Sequence, residues 1–243
     1  MKLLAIDTSG SSLSAAIAEA TPPAAGQPLA ANIIGSFGVN TGRNHSLALL
    51  PMLQALLDNC GLDLAQMDAF AVTLGPGSFT GLRIGCATVR AWGQALEKPL
   101  IGISSTQACA LAASPEGWVC PIFDARRNEV YTALFYNGQR QWEARALAPQ
   151  RLIQELAALG QPVLCSGDAW PVYAALFQEQ NAFALRPQNT HSAPFLAEAA
   201  AQLALEQAMQ GQFTPAEQLL PCYLRLSEAE EKRLAQQATA QQE

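Results

Sequence analysis

Charged side chains are scarce in this sequence. Asp, Glu, Lys and Arg make up 14% of the residues, whereas an average soluble domain has about 25%. A chain with so few charges either encloses a large core or keeps apolar surface for a partner. The formal net charge of −6 disfavours binding of nucleic acid by this chain alone, because phosphate binding needs a basic patch. Arg126 and Arg127 could still contribute to a composite site, although solvated surface arginines are the simpler interpretation.

Patterns typical of metal sites are also missing. The two histidines, His45 and His191, are far apart and have no His or Cys neighbour at ligand spacing. Six cysteines are present without a C-x-x-C pair. Four of them lie in apolar contexts that favour reduced, buried thiols: Cys60, Cys86, Cys120 and Cys165. We therefore expect neither a metal nor a cofactor.

Long apolar runs are absent too. No stretch reaches the roughly 18 uncharged apolar residues that a membrane span requires, and Arg83 and Arg90 interrupt the nearest candidate. The apolar run at the start ends at Asp7, which is too early for a signal peptide. The expected location is the cytoplasm.

Residues 1–103 are predicted to form one α/β unit. Alternating apolar residues and polar turns predict three strands, at 3–7, 13–17 and 32–39. A helix at 45–59, a strand at 70–74, a helix at 79–96 and a strand at 100–103 follow.

The same order of elements recurs in residues 104–226. Strands are predicted at 118–123, 130–136 and 142–147, then a helix at 149–159, a strand at 162–165 and a helix at 170–180. The first strand of each half ends at an aspartate, Asp7 or Asp124, and this repetition indicates an internal duplication. A last helix at 192–209, capped by His191 and Ser192, either stays with the second half or packs back on the first. The tail, 227–243, is predicted to be frayed.

Residues 74–85, with the sequence LGPGSFTGLRIG, form the most distinctive segment. They join a buried strand to an almost uncharged helix that Ser78 or Thr80 could cap. Such a glycine-bounded turn presents N–H groups and the positive end of a helix dipole, which suits an anion. A tight turn with a capped helix is the plainer interpretation. The spacing matches neither a P-loop nor a dinucleotide-binding turn.

With three other segments, this motif resembles the TsaB (YeaZ) family. The segments are LAIDTS at 4–9, RNHS at 43–46 and PLIGISS at 99–105, and LPCYLR at 220–225 also fits. The resemblance implies an α/β fold of two tandem actin-like (ASKHA, RNase H-like) domains, each a mixed sheet with flanking helices. Sugar kinases and Hsp70 share that architecture. It also implies an accessory role in the synthesis of threonylcarbamoyladenosine in bacterial tRNA.

The resemblance further implies partners. TsaD would transfer threonylcarbamoyl to an adenosine beside the tRNA anticodon, and TsaE would supply ATPase function in a larger complex. This chain would be a non-catalytic subunit that binds and activates TsaD and meets tRNA only through the complex. When alone, it could form a homodimer.

The first hairpin retains a polar turn but the second does not look competent to bind phosphate. Asp7, Thr8 and Ser9 are interpreted as a vestigial phosphate hairpin. The second turn, 124–127, reads Asp-Ala-Arg-Arg where glycines would let a backbone wrap around a phosphate. We therefore expect no ATP hydrolysis by this chain alone.

The metal motif of TsaD is also replaced. The resemblance places its His-x-Glu-Gly-His motif after the strand at 100–103, where this chain has Ser105, Gln107 and Cys109. A hydroxyl, an amide and a lone thiol cannot replace two imidazoles and a carboxylate.

The helices at 45–59 and 79–96 are apolar on two sides. A helix on one face of a sheet needs a single apolar stripe, so the second stripe contacts either the rest of this fold or a partner. The resemblance favours a partner. The residues assigned to that interface are His45, Leu49, Leu53, Leu56, Leu82, Cys86 and Val89.

Two enzymatic alternatives remain. A glycoprotease-like peptidase acting on TsaD-like partners would need a catalytic dyad, but Ser78 is not in a G-x-S-x-G elbow and neither histidine can be assigned to it. A small-molecule kinase would need the glycine-rich second hairpin.

Overall fold

The computed structural model describes residues 1–21, 29–40, 44–180 and 195–225. The first half contains a five-stranded sheet of order β3-β2-β1-β4-β5. Its strands are β1 (Lys2–Asp7), β2 (Leu13–Glu19), β3 (Asn32–Val39), β4 (Ala69–Gly75) and β5 (Leu100–Ser104). Helices α1 (His45–Cys60) and α2 (Phe79–Leu96) connect these strands. Antiparallel hairpins join β1, β2 and β3, whereas β4 and β5 continue the sheet in parallel.

Both faces of this first sheet are buried. Successive side chains of β1 point to opposite faces, so its apolar residues pack on both sides. Leu4 and Ile6 point to the face that α1 and α2 cover, together with Phe70 of β4. Leu3 and Ala5 point to the opposite face, against α6 (Ala197–Met209). The last helix thus packs back on the first half.

The second half has a four-stranded sheet of order β8-β7-β6-β9. Its strands are β6 (Trp118–Arg126), β7 (Glu129–Tyr136), β8 (Gln139–Leu147) and β9 (Val163–Ser166). Helices α4 (Pro149–Ala157) and α5 (Trp170–Gln180) cover one face. In both halves a β-meander is extended by a parallel strand, which confirms the expected fold class of two mixed sheets with flanking helices.

One helix was not expected from the sequence. Helix α3 (Ser105–Ala113) follows β5 directly and contacts β6, β7, β9 and α6. Ser104 caps it by accepting a hydrogen bond from the backbone N–H of Gln107. Its residues are mostly small, so it lacks the strong apolar stripe by which a helix is recognised in sequence.

Some predictions fall outside the described residues. These are the cap formed by His191 and Ser192, Arg43 of the RNHS motif, and the tail at 227–243. The division at residue 103 remains a prediction. Across the described ranges, no helix combines the length and hydropathy needed to cross a membrane.

Candidate functional site

A cleft of about 650 Å³ lies between the two halves. The first half contributes the turn after β1 and the N-terminal ends of α1 and α2. The second half contributes the β6–β7 hairpin, the turn after β9 and residues 222–225. The carboxyl ends of β1 and β6 therefore face the same space, which makes this cleft the candidate site.

Asp7 and its neighbours lie behind the cleft and are sealed from it. Asp7, Thr8 and Ser9 are fully buried. One oxygen of Asp7, Oδ1, accepts hydrogen bonds from the Ser9 N–H (3.1 Å), the Ser9 hydroxyl (2.6 Å) and the Thr73 hydroxyl (2.6 Å). Among the described residues, its other oxygen, Oδ2, has no hydrogen-bond partner. Burial raises the pKa of Asp7, and these three hydrogen bonds oppose the shift only in part.

The start of α2 closes this hairpin. The Ser78 N–H donates to the carbonyl oxygen of Ser9 over 2.6 Å, and the Thr8 hydroxyl donates to the carbonyl oxygen of Gly81 over 2.8 Å. Such close packing requires glycine at and before the start of α2, because a Cβ on Gly77 or Gly81 would overlap a backbone carbonyl of the hairpin. The glycines of the LGPGSFTGLRIG motif therefore let the N-terminal end of α2 pack directly against the hairpin.

Asp168 joins the two halves at the cleft, a role that the sequence did not suggest. Its Oδ2 accepts from the Ser11 N–H (3.2 Å), and its Oδ1 accepts from the Asp124 N–H (3.0 Å). Burial, with a smaller contribution from the charge of Asp124, raises the pKa of Asp168 to about 6. The preceding Gly167 has φ of 128°, a backbone conformation that favours glycine.

The β6–β7 hairpin brings two arginines to the cleft. Arg126, Arg127 and Asn128 all have positive φ, at 64°, 53° and 58°. Arg126 forms an ion pair of 3.1 Å with Asp124, and its side chain is 62% exposed. Arginine thus stands in a left-handed turn where Asn or Gly is usual.

The seven predicted interface residues face the chain's own core. Leu49, Leu53, Leu56, Cys86 and Val89 belong to the cluster under the first sheet, and Leu82 and His45 are buried as well. The most apolar stripe of each helix covers the sheet, because that is where burial of apolar area is largest. The outer stripe of α1 is exposed, with Leu47 at 75% and Leu50 at 60%.

The positions of the TsaD metal motif lie in α3. Ser105 and Cys109 are fully buried, and the Ser105 hydroxyl accepts from the Gly75 N–H over 3.1 Å. Burial raises the pKa of the Cys109 thiol above its usual range. Within the described part of the chain, no group of three or more His, Cys, Asp and Glu side chains has the arrangement of a metal site.

Ser78 and His45 both line the cleft but are engaged separately. The Ser78 hydroxyl accepts from the Gly81 N–H (3.3 Å) as the cap of α2. The His45 ring nitrogen Nε2 lies 3.2 Å from the carbonyl oxygen of Ser12. This geometry is that of a helix cap and a buried, hydrogen-bonded histidine, and it does not favour the peptidase alternative.

The C-terminal segment of the described chain completes the rim. Tyr223 stacks on Phe79 of α2 with ring centroids 4.4 Å apart. The Arg83 Nε–H donates to the Tyr223 hydroxyl oxygen over 2.8 Å. Arg225 then pairs with Glu129 of β7. The LPCYLR motif contains Tyr223 and Arg225, but only the tertiary structure brings them to this rim.

Comparisons with known proteins agree with the fold and the motifs. The family model described as TsaD, tRNA N6-adenosine threonylcarbamoyltransferase, matches residues 37–233. The tRNA threonylcarbamoyladenosine biosynthesis protein TsaB of Bacillus subtilis (strain 168) is 32% identical over 136 residues, which cover 56% of this chain and 55% of that protein. The Escherichia coli (strain K12) protein of the same name is 30% identical over 145 residues, covering 56% and 63%. The matched region thus spans only about half to two thirds of these curated relatives.

A solved structure is matched over a longer region. YeaZ from Pseudomonas aeruginosa has a TM-score of 0.71 and 30% sequence identity, with coverage of 92% of this chain and 99% of that chain. This match confirms the resemblance carried by the sequence motifs and the arrangement of two mixed sheets with flanking helices. The chain therefore belongs to the family described as TsaD, tRNA N6-adenosine threonylcarbamoyltransferase, and within it to the TsaB (YeaZ) group.

Proposed function

We propose that this chain is a non-catalytic subunit in the threonylcarbamoyladenosine modification of tRNA, and that it binds and activates a TsaD-type threonylcarbamoyltransferase. The names of the curated relatives support the pathway. The larger assembly would include TsaE with ATP, and tRNA would meet this chain within the complex.

The observation that carries the proposal is the outer face of α1 and α2, which we call the helix face. It consists of Leu47, Leu50 and Gln54 of α1 with Arg83, Ala87, Ala91 and Gln94 of α2, all exposed. Two leucines that are more than half exposed form an apolar centre, and the small side chains of α2 allow close approach. An apolar centre with a polar rim is typical of a protein interface.

The closed hairpin supports a subunit without its own phosphoryl chemistry. Nucleotide hydrolysis needs carboxylates and N–H groups that can reach a phosphate and its metal ion. Here α2 stands in front of Asp7, and its Ser78 N–H already donates to Ser9. The exposed side of the same α2 forms half of the helix face. One helix therefore both covers Asp7 and contributes to the proposed interface.

The test compares substitutions on the two sides of α1. Leu50→Glu places a charge on an exposed position and should leave the melting temperature near normal. It should, however, weaken complex formation with TsaD at least tenfold, because buried apolar anchors dominate such interfaces. Leu53→Glu buries an unpaired carboxylate and should unfold the domain, at a cost of several kcal/mol. Thermal unfolding and size-exclusion chromatography with purified TsaD measure both effects.

Tyr136→Glu is the matched control. Tyr136 ends β7 in the second half, is 43% exposed and does not line the cleft. This variant should fold and bind TsaD like the parent chain. If Leu50→Glu also binds TsaD normally, the helix face is not the interface and the proposed role loses its structural support.

A further inference from the structure

We propose that the β6–β7 hairpin, residues 124–128, is a contact site for the phosphate backbone of RNA and supplies this chain's share of the tRNA-binding surface. The proposal rests on the proposed function, because it needs the complex that brings tRNA to the cleft. It assigns Arg126 and Arg127 to phosphates and to no particular base.

The backbone of the hairpin is the first support. A left-handed conformation is unfavourable for residues other than glycine, and Asn tolerates it better than Arg. Three consecutive residues adopt it here, and two of them are arginines. Strained residues of this kind concentrate at ligand-binding sites, and Asn-Gly would form the same turn at less cost.

The position of the hairpin is the second support. Arg126 and Arg127 line the cleft opposite the N-terminal ends of α1 and α2. Helix N-termini and arginines both favour negative charge in the space between them. Ser11, Ser46 and Thr80 add hydroxyl groups at the same wall. All of these groups line one cleft of a chain whose overall charge is −6.

The nearby carboxylates offset most of this charge but not all of it. Among the described residues, four arginines lie at or beside the cleft against three carboxylates: Arg83, Arg126, Arg127 and Arg225, with Asp124, Asp168 and Glu129. Asp124 pairs with the Arg126 guanidinium through Oδ2 and accepts from the Arg126 N–H through Oδ1, and the two side chains are 36% and 62% exposed. A partly exposed ion pair of this kind contributes little free energy, so a phosphate can replace the carboxylate at the guanidinium.

The aromatic groups favour a backbone contact over a base site. Phe79 and Tyr223 line the cleft but stack on each other, and the Arg83 guanidinium lies 3.9 Å from the centroid of Phe79. A stacked base needs a ring face that is open. The Arg126 side chain, in contrast, is mostly exposed, which suits salt-sensitive attraction to phosphates.

The experiment measures tRNA binding by the purified complex of this chain with TsaD, over a range of salt concentrations. The double variant Arg126→Asn/Arg127→Asn removes two charges and keeps a residue type that tolerates positive φ. Its affinity for a tRNA transcript should fall about tenfold or more at low salt. The slope of log affinity against log salt should fall by about one for each arginine.

Two further variants serve as controls. Arg140→Asn/Arg151→Asn removes two arginines of the second half that do not line the cleft, so affinity and slope should stay unchanged. Arg126→Lys/Arg127→Lys retains the charge and should restore most of the affinity, because lysine also binds phosphate as a point charge.

The outcomes separate this inference from the proposed function. If the parent chain forms no complex with TsaD, both fail. If the complex forms but the asparagine variant binds tRNA with unchanged affinity and slope, only the hairpin inference is overturned. A calorimetric titration of the chain with AMP and ADP tests whether the arginines bind a mononucleotide instead. Nucleotide binding that the variant loses while it retains tRNA binding would assign the arginines to a mononucleotide and would overturn the RNA contact.

Discussion

Two carboxylates, one behind the cleft and one at it, hold the chain's own backbone. Asp7 accepts from the N–H of Ser9, and Asp168 accepts from the N–H groups of Ser11 and Asp124. Both oxygens of Asp168 are engaged in this way, whereas Asp7 Oδ2 has no partner among the described residues. At the residue scale, Asp168 therefore acts as a bridge between the halves, and its ionisation should be visible in stability.

Asp168→Asn tests this bridge through its pH dependence. The pKa of Asp168 is raised from 3.8 to about 6, so the folded state binds more protons than the unfolded state between these values. The stabilisation that protonated Asp168 gives to the folded state is complete below about pH 4. It is lost as the pH rises through about 6. The advantage of the parent chain over the variant in free energy of unfolding should fall by about 2 kcal/mol between pH 4 and pH 7.

Urea denaturation at several pH values provides the measurement. Asp58→Asn, at an exposed carboxylate of α1, controls for the general effect of charge. A parent-to-variant difference that stays constant with pH, or grows as the pH rises, would mean that the two N–H donors hold Asp168 ionised throughout.

At the scale of elements, α2 has three roles. Its glycines approach the hairpin after β1, its apolar stripe covers the sheet, and its outer stripe forms half of the helix face. Glycine is costly in a helix interior, at about 1 kcal/mol relative to alanine. Its repeated use in α2 is explained by contact with a backbone rather than by local helix preference.

Gly81→Ala and Gly93→Ala should therefore differ although both lie in α2. A Cβ at position 81 meets the backbone carbonyl oxygen of Thr8, directly after β1, whereas a Cβ at position 93 meets the side chain of Leu100. Gly81→Ala should lose about 2 kcal/mol or more. At Gly93 the gain in helix propensity offsets much of the overpacking, so that loss should be smaller.

Chemical denaturation of the two variants is the measurement. Equal losses would show that contact with the Thr8 backbone is not what requires glycine at position 81.

At the scale of the whole molecule, the chain crosses between its halves more than once. After α6, the Thr214 N–H donates to the carbonyl oxygen of Leu100, and the Cys222 N–H donates to that of Leu74. Leu219 enters the core under α1 and α2, and Arg225 then reaches Glu129 of the second half. The first core is thus completed by residues far along the chain, so the two halves should unfold together.

Leu219→Ala and Leu220→Ala test this closure with adjacent positions. Leu219 is fully buried and Leu220 is 53% exposed. Leu219→Ala should destabilise the protein by about 2 to 5 kcal/mol, whereas Leu220→Ala should stay within about 0.5 kcal/mol. Both should retain a single thermal transition. A separate early transition in Leu219→Ala would show that the halves unfold independently.

Sequence reasoning recovered the strands, most helices and the family. Successive side chains of a strand point to opposite sheet faces, so the apolar residues of segments such as 3–7 and 70–74 indicate strands that are buried on both faces. The turn before α2 was recognised from its glycines. Sequence reasoning did not reveal that the predicted interface stripe packs on the chain's own core, because Leu49 and Leu53 are as apolar as any partner-facing residue would be. It also failed for α3, whose small residues carry little periodicity.

What the sequence alone determined is the order of elements, the duplicated α/β plan and the family resemblance, since these depend on local period, turn residues and motif spacing. Only the tertiary structure decided that α2 seals Asp7, that Asp168 bridges the halves and that residues 214–225 complete the first core. The tertiary structure also decided which stripe of α1 and of α2 is exposed to solvent. These outcomes depend on contacts between residues up to 157 positions apart, such as Ser11 and Asp168. Hydrophobic burial is non-directional, so an apolar stripe does not reveal whether it packs on its own sheet or on another protein.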